Sequence, residues 1–318
     1  MSYFTPHRAC VAAVAILAWW STGQATAQTV ADLCNRATMT AAVGPISAET
    51  FSYGGVDRHY CIYTSSLIGA GTQHPLVIAL HGGVGNASQM MQDARRIIEH
   101  AEAMGWIAVF PNGLPRPSCG GASPCLDNSW GAPDNVFFIA ELISRLKAGG
   151  QVQDDRVHLI GFSGGAKLIY DIAATPGFPH AIRSIATVAG AFGLFHADRP
   201  DEGFTVIQIH EGTPVSALLV QGGLDPKLPA AGGLDNTGRE SHTSFRTKVD
   251  YWRLVTGTET ATARPVDLSA APTAPADVIA SRYTDAGFTV VEVLDPGLGH
   301  AWPGWDIMAV IVEFFERS

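Results

Sequence analysis

The segment GFSGG at residues 161–165 has the spacing of a nucleophilic serine in a tight turn. It follows the apolar run VHLI at residues 157–160, and the pattern of residues 164–174 is helical. Glycines flank the serine because side chains would clash in so tight a strand-to-helix turn. The Ser163 hydroxyl would then stand at a helix N-terminus, where the helix dipole favours a developing oxyanion. A glycine-rich turn without a catalytic role is the alternative, and the flanking strand and helix favour catalysis.

A serine nucleophile requires a general base, and in proteins with such a turn the histidine comes last in the chain. His300 lies in the glycine-rich segment GLGHAWPG, just after the apolar run at residues 288–294. A loop beyond a strand end is where this base is expected, so His300 is the candidate. His242 precedes a predicted helix and is interpreted instead as a surface or capping residue.

The carboxylate that orients the histidine should follow the preceding strand. The apolar run at residues 215–220 leads into QGGLDP, which places Asp225 at that position. The alternative for Asp225 is a turn aspartate favoured before proline. Asp235, in a second glycine-rich loop, is the fallback candidate. The carboxylate would hold the imidazole tautomer and stabilise the imidazolium without taking the proton.

An oxyanion hole needs two backbone N–H groups. The residue after the nucleophile, Gly164, supplies one candidate. The other is expected in the segment HGGVG that follows the apolar run at residues 75–80. Gly83 is the candidate donor there, with Val84 next. His81 is interpreted as a structural residue that hydrogen-bonds this loop.

The elements that must position these residues follow from the apolar pattern. An alternating pattern around two glycines predicts a β-hairpin at residues 50–65. Continuous apolar runs predict strands covered on both faces, at residues 75–80, 106–110, 157–160, 185–188, 215–220 and 288–294. Helical patterns occur at residues 88–104, 134–147, 164–174, 243–256 and 305–317. This alternation predicts an α/β fold with a mostly parallel central sheet and helices on both faces. Loops at residues 115–130, 195–213 and 227–242 are expected over the site.

Composition limits the possible partners. The 318 residues are 47% hydrophobic and only 15% charged, which is globular rather than disordered. The formal net charge of −9 argues against binding to nucleic acid or to an anionic membrane. The cysteine spacing does not suit a metal site, and neither a metal nor an organic cofactor is predicted.

The N-terminus is typical of a secretory signal peptide. An apolar run at residues 11–20 is followed by Ala-Thr-Ala at residues 25–27, a cleavage signal. We therefore expect residues 1–27 to be removed and residues 28–318 to form a single catalytic domain, secreted or periplasmic. Four cysteines would remain, and an even number in an exported chain suggests two disulfides, Cys34–Cys61 and Cys119–Cys125.

Several of these segments together resemble the polyhydroxybutyrate depolymerase-like esterases, which also include secreted feruloyl and acetylxylan esterases, within the α/β-hydrolase superfamily. The matching segments are LHG at 80–82, FPNG at 110–113, DNVFF at 134–138, RVHLIGFSGG at 156–165, GLDP at 223–226 and GHAWPG at 299–304. The last is the most specific of them. The chain departs from the usual pattern at Gly164, Asn112 and Asn135.

The resemblance implies a secreted serine esterase that acts on polyhydroxyalkanoate-type polyesters or their oligomers, with Ser163, Asp225 and His300 as its triad. Trp302 and Trp130 are candidate platforms for the substrate. Three alternatives remain open at this point: a feruloyl or acetylxylan esterase, an amide hydrolase acting on a polymer such as poly(aspartic acid), and a non-catalytic binding protein. The oligomeric state is not predicted.

Overall fold

The computed structural model describes residue 34 and residues 46–83, 85–94, 96–115, 128–129, 135–192, 194–196, 213–238 and 240–318. Its strands are β1 Ile46–Tyr53, β2 Val56–Thr64, β3 His74–Leu80, β4 Ile107–Pro111, β5 Leu114–Pro115, β6 Asn128–Ser129, β7 Val152–Phe162, β8 Ser184–Val188, β9 Leu194–His196, β10 Ser216–Gly222, β11 Gly233–Leu234, β12 Glu240–His242, β13 Arg264–Pro265, β14 Ile279–Asp285 and β15 Phe288–Asp295. Its helices are α1 Ala87–Asp93, α2 Ile97–Met104, α3 Asn135–Ala148, α4 Gly164–Ala174, α5 Phe245–Thr256 and α6 Ile307–Arg317.

The main sheet is parallel at its centre and antiparallel at its edges. Among the described residues it has ten strands in the order β1-β2-β4-β3-β7-β8-β10-β15-β14-β13. The six from β4 to β15 run parallel, whereas the β1–β2 hairpin and β14 pair antiparallel at the two sides. Strand β10 is buried along its whole length, as expected for a strand covered on both faces. The predicted hairpin, mostly parallel sheet and α/β class are confirmed.

The candidate site residues lie along one edge of the sheet. Parallel strands end at the same edge, and in open α/β sheets ligands bind there. His81 follows β3, Ser163 follows β7, Asp225 lies beyond β10 and His300 lies beyond β15. Topology therefore brings together residues up to 219 positions apart in sequence.

Three local predictions need correction. The helical pattern at residues 88–104 is broken at Ala94 into α1 and α2, which lets Met90 and Ile97 both be buried. The segment at residues 227–242, expected to be a loop, contains β11 and β12, which form a small sheet with β9. Strand β14 was not predicted, because it has no apolar run and only Tyr283 among its seven residues is buried.

Cys34 and Cys61 form the predicted disulfide, with their Cα atoms 5.6 Å apart. The candidate signal peptide, Cys119, Cys125, Trp130 and Val84 lie outside the described residues, so the structure does not describe them. None of the described helices has the length and apolar character needed to cross a membrane.

Candidate active site

Ser163 occupies a strained turn between β7 and α4. Its φ of 51° and ψ of −113° are a conformation that side-chain-bearing residues rarely adopt, and its N–H donates to the Val188 carbonyl at 2.9 Å. The turn fits because Gly165 has no side chain. A Cβ on that residue would lie 2.3 Å from the Leu80 carbonyl oxygen. The tight glycine-flanked turn inferred from the sequence is therefore present.

The three candidate triad residues form one hydrogen-bonded chain. His300 Nε2 lies 2.9 Å from Ser163 Oγ, and His300 Nδ1 lies 2.8 Å from Asp225 Oδ2. An ionised carboxylate only accepts, so the neutral imidazole carries its proton on Nδ1 and can accept the serine proton at Nε2. The side chain of Asp225 is fully buried and that of His300 is 10% exposed.

The Asp225 carboxylate is held by four donors. Oδ1 accepts the N–H groups of Lys227 and Leu228, each at 2.9 Å. Oδ2 accepts from His300 and, at 3.3 Å, from the Gln221 amide. Burial by itself raises the pKa of Asp225, but the bonds from His300 and the two backbone groups outweigh it and hold the pKa below its ordinary value.

The two candidate oxyanion donors lie next to each other. A Cβ placed on Gly164 would be 3.2 Å from both the N and the Cα of Gly83. Gly164 is the first residue of α4, so its N–H has no partner within the helix. The close approach of the two backbones explains why this chain has glycine after the serine.

His81 holds the loop that carries Gly83. Its Nδ1 lies 2.7 Å from the Gly82 carbonyl and its Nε2 accepts the Gly113 N–H at 3.1 Å. Burial lowers the pKa of His81 to about 4, so the ring is neutral and both bonds persist at neutral pH. These contacts agree with the structural role inferred from the sequence.

His300 lines two cavities. The larger, about 620 Å³, is lined by His300, Trp302 and Phe162, among others. The smaller, about 440 Å³, is lined by Ser163, His300 and the fallback candidate Asp235. Trp302 is half-buried, with its ring 6.4 Å from that of Phe162. Among the described residues, no cluster of three or more His, Cys, Asp or Glu side chains could hold a metal ion.

The structure adds three positioning contacts that sequence reasoning missed. The carboxylate of Asp295, at the end of β15, accepts the Trp305 indole N–H at 2.9 Å, and this bond joins the two ends of the loop that carries His300. Gln221 and Lys248 lie behind Asp225. The sequence could have indicated Lys248, because it is a lysine on the face of α5 that is otherwise formed by the buried residues Phe245, Val249, Trp252 and Thr256.

The interpretation of His242 was wrong. It is a buried residue of β12, 7% exposed, rather than a surface or capping residue. The cap of α5 is Ser244, whose side chain accepts the Thr247 N–H.

The architecture was compared with those of known proteins. No protein-family profile matches the chain. The structure of an acetyl xylan esterase from Aspergillus awamori superposes with a TM-score of 0.59 over 86% of this chain and 100% of that one, at 15% identity. The chain has the α/β-hydrolase fold. A Pyrococcus horikoshii acylaminoacyl peptidase superposes with a TM-score of 0.52 over 86% of this chain and 42% of that one, at 13% identity.

One curated protein is similar to the chain in sequence. "Putative esterase NocK" from Nocardia uniformis subsp. tsuyamanensis is 26% identical over 241 residues, which are 72% of this chain and 66% of the relative. The matched region is therefore slightly less than two thirds of that protein. Because one neighbour is named as an esterase and another as a peptidase, the fold alone does not decide which bond is cleaved.

Proposed function

We propose that the chain is a serine hydrolase that cleaves carboxylic esters through an acyl-enzyme. The observation that carries the proposal is the hydrogen-bonded chain from Asp225 through His300 to Ser163, at 2.8 and 2.9 Å. His300 lines both cavities, Ser163 lines the smaller one, and the two candidate backbone donors lie next to each other. The names of NocK and of the acetyl xylan esterase point to the same bond type.

In the proposed acylation step, Ser163 Oγ attacks the ester carbonyl carbon while its proton passes to His300 Nε2. The carbonyl oxygen becomes an oxyanion, which the N–H groups of Gly164 and Gly83 stabilise. Asp225 accepts the hydrogen bond from the Nδ1–H group of His300 and stabilises the imidazolium without being protonated. As the tetrahedral intermediate collapses, the bond to the alcohol oxygen breaks and His300 returns the proton to that oxygen.

Deacylation repeats these events with water as the nucleophile. His300 Nε2 removes a proton from water, the resulting hydroxyl attacks the acyl carbon, and the same N–H groups stabilise the oxyanion. When the intermediate collapses, the Ser163 oxygen leaves and takes the proton from His300. The products are an alcohol and a carboxylic acid, and the enzyme is regenerated.

For the substrate we propose polyhydroxyalkanoate-type polyesters or their oligomers. A hydroxyacid oligomer has a monomer on each side of the scissile bond, and His300 lines two cavities, of about 620 and 440 Å³, the smaller of which Ser163 also lines. Both volumes are in the range of small-molecule sites. Trp302 in the larger cavity offers an aromatic surface, and Trp130 remains a second candidate platform.

Feruloyl or acetylxylan esters are the alternative substrates, since the acetyl xylan esterase structure shares the fold. Amide hydrolysis in a polymer such as poly(aspartic acid) needs the same three residues, with His300 protonating a poorer leaving group. The substrates can be separated by comparing hydrolysis of hydroxybutyrate oligomers, feruloyl and acetyl sugars, and poly(aspartic acid) at equal bond concentration. Cleavage of sugar esters alone would replace the polyester proposal.

The chemistry itself is tested by an active-site label. A fluorophosphonate probe should modify wild-type protein at Ser163 and leave the Ser163→Ala variant unmodified. Peptide mapping by mass spectrometry identifies the labelled residue. Folded wild-type protein that neither reacts with the probe nor hydrolyses p-nitrophenyl esters would instead support the non-catalytic binding protein.

We also propose export to the periplasm or the medium. The Cys34–Cys61 disulfide supports this, because disulfides persist in oxidising compartments. The exported protein should begin at residue 28 and contain no free thiol. Intact mass without reduction, before and after alkylation, measures both properties, and alkylation of all four remaining cysteines would contradict the proposed compartment.

A further inference from the structure

A buried lysine lies behind the carboxylate of the candidate triad. Lys248 is in the first turn of α5 and is 4% exposed. Lysine is rarely so buried unless it is paired. Its Nζ donates to the Gln221 Oε1 atom at 2.8 Å and to the Gly190 carbonyl at 3.1 Å. The reaction proposed above gives this ammonium no part, so its burial requires another explanation.

The lysine determines how the Gln221 amide is oriented. An ammonium only donates, so the amide atom that faces it must be the oxygen. The amide nitrogen is therefore on the other side, 2.9 Å from the Leu228 carbonyl and 3.3 Å from Asp225 Oδ2. Both of these partners only accept, which fits an NH₂ group. Gln221 is itself 1% exposed, and no other orientation satisfies all three contacts.

We propose that Lys248 is a positioning residue that acts through Gln221 to hold Asp225 against His300. The proposal rests on the catalytic function proposed above. Asp225 Oδ2 takes one hydrogen bond from each of Gln221 and His300, so the amide fixes the oxygen that the imidazole uses. The same cation is anchored at Gly190, two residues after the end of the neighbouring strand β8, and so ties Asp225 to the sheet.

Charge gives the lysine a second effect on the same carboxylate. Burial lowers the pKa of Lys248 to about 8, and the negative charge of Asp225 acts in the opposite direction. The ring of Phe245, 5.7 Å away, and the Gly190 carbonyl are the other groups that face it. Below about pH 8 the cation therefore favours the ionised form of Asp225 in a site from which water is largely excluded.

Lys248→Met retains the apolar stem of the side chain and removes the ammonium. We expect kcat for a p-nitrophenyl ester to fall by about 10- to 100-fold with KM nearly unchanged, by analogy with the loss of an outer hydrogen-bond partner that orients a metal-bound ligand. The wild-type profile should decline above about pH 8 as Lys248 loses its proton, and the variant should lack that step. Lys147→Met is the matched control, because Lys147 Nζ bonds the Asp154 carbonyl near the start of β7, at the opposite end of the strand from Ser163.

A double-mutant cycle tests whether the lysine acts through the amide. If it does, Lys248→Met combined with Gln221→Leu should lose little more kcat than the worse single variant. Multiplicative losses, or an unchanged kcat and pH profile in Lys248→Met, would overturn the proposal. If Lys248→Met does not fold, Gln221→Leu and Lys248→Arg provide the same contrast, with the arginine variant retaining the cation.

A second measurement is independent of turnover. The Nδ1 proton of His300, held against a buried carboxylate, should give a downfield ¹H NMR signal in the wild type that weakens or moves in Lys248→Met and persists in Lys147→Met. An identical signal in all three proteins would overturn the positioning role. If the signal changes only in Lys248→Met, but the wild type shows no probe labelling and no hydrolysis, the result would contradict the proposed function while leaving the positioning role of Lys248 supported.

Discussion

Asp225 and Asp295 lie at the carboxyl ends of the neighbouring strands β10 and β15: Asp295 is the last residue of β15, and Asp225 lies three residues after the end of β10. Each precedes a proline, and each is 4% exposed. Each also accepts N–H groups from its own loop: Asp225 Oδ1 from Leu228 at 2.9 Å, and Asp295 Oδ1 from Gly297 at 3.1 Å. An aspartate side chain that accepts from the backbone two or three residues on is ordinary turn chemistry. At the local level the two residues are nearly the same.

The two aspartates differ in the hydrogen-bond partner of their second carboxylate oxygen, Oδ2. Asp225 Oδ2 lies 2.8 Å from His300 Nδ1, whereas Asp295 Oδ2 accepts the Trp305 indole N–H at 2.9 Å. Imidazole has a second nitrogen that can take a proton, and indole has only a donor. One aspartate can therefore support proton transfer and the other can only anchor a loop. The comparison indicates that local turn structure does not assign function; the partner supplied by tertiary packing does.

The largest expected effect on kcat comes from replacing Ser163 or His300, the two residues that the hydrogen-bonded chain links to Asp225. Ser163→Ala and His300→Ala should each lower kcat by on the order of 10⁶-fold, the size found when a serine triad is broken. The double variant should lose little more, because the two residues act as a unit. Steady-state kinetics with a p-nitrophenyl ester measures this. Independent, multiplicative losses would mean that the hydrogen-bonded chain is not the reacting unit.

Asp225→Asn should have the next largest effect. The amide can present its NH₂ group to the imidazole and thereby hold the wrong tautomer, a change that costs about 10⁴-fold in kcat in serine triads. Circular dichroism would establish that the variant is folded. Retention of wild-type kcat would remove the functional distinction between the two aspartates.

Asp295→Asn should lower stability rather than remove the chemistry. One of its two partners, the Gly297 N–H or the Trp305 indole N–H, would face an NH₂ group, which costs about 1–3 kcal/mol of the free energy of unfolding. Denaturant unfolding measures this loss, and kcat should fall far less than in Asp225→Asn. An equal loss of kcat in the two variants would mean that the loop anchor is as important to turnover as the orienting carboxylate.

The smallest expected effect is on the pH dependence of stability. Although burial opposes it, hydrogen bonding holds the pKa of folded Asp225 below its ordinary value of 3.8. Ionised Asp225 therefore contributes stability above about pH 4, and that contribution is lost as the pH falls through the lower folded value. Wild-type protein should lose more melting temperature between pH 6 and pH 2 than Asp225→Asn does. If the melting temperatures of the two proteins fell in parallel with pH, the result would contradict the lowered pKa of Asp225.

Much of the site could be predicted because its signals are local. The glycines around Ser163 reflect clashes within a few residues, and the apolar runs identify buried parallel strands wherever they occur. Chain order then placed Asp225 and His300 beyond the correct strand ends. Sequence reasoning missed the split between α1 and α2, the small sheet containing β12, and strand β14, because they depend on packing partners rather than on their own patterns.

Sequence alone determined the type of fold, the strained position of Ser163 and a short set of candidates at the carboxyl edge of the sheet. Chain order predicted Asp225 as the partner of His300, but no sequence pattern indicated that the second Asp-Pro turn at that edge pairs Asp295 with Trp305, and only the tertiary structure showed both contacts. The same holds for Lys248, whose ammonium reaches Gln221 across a separation of 27 residues. Hydrogen bonds of 2.8–2.9 Å between side chains on different elements depend on how the strands and helices pack, and that packing is a property of the whole chain.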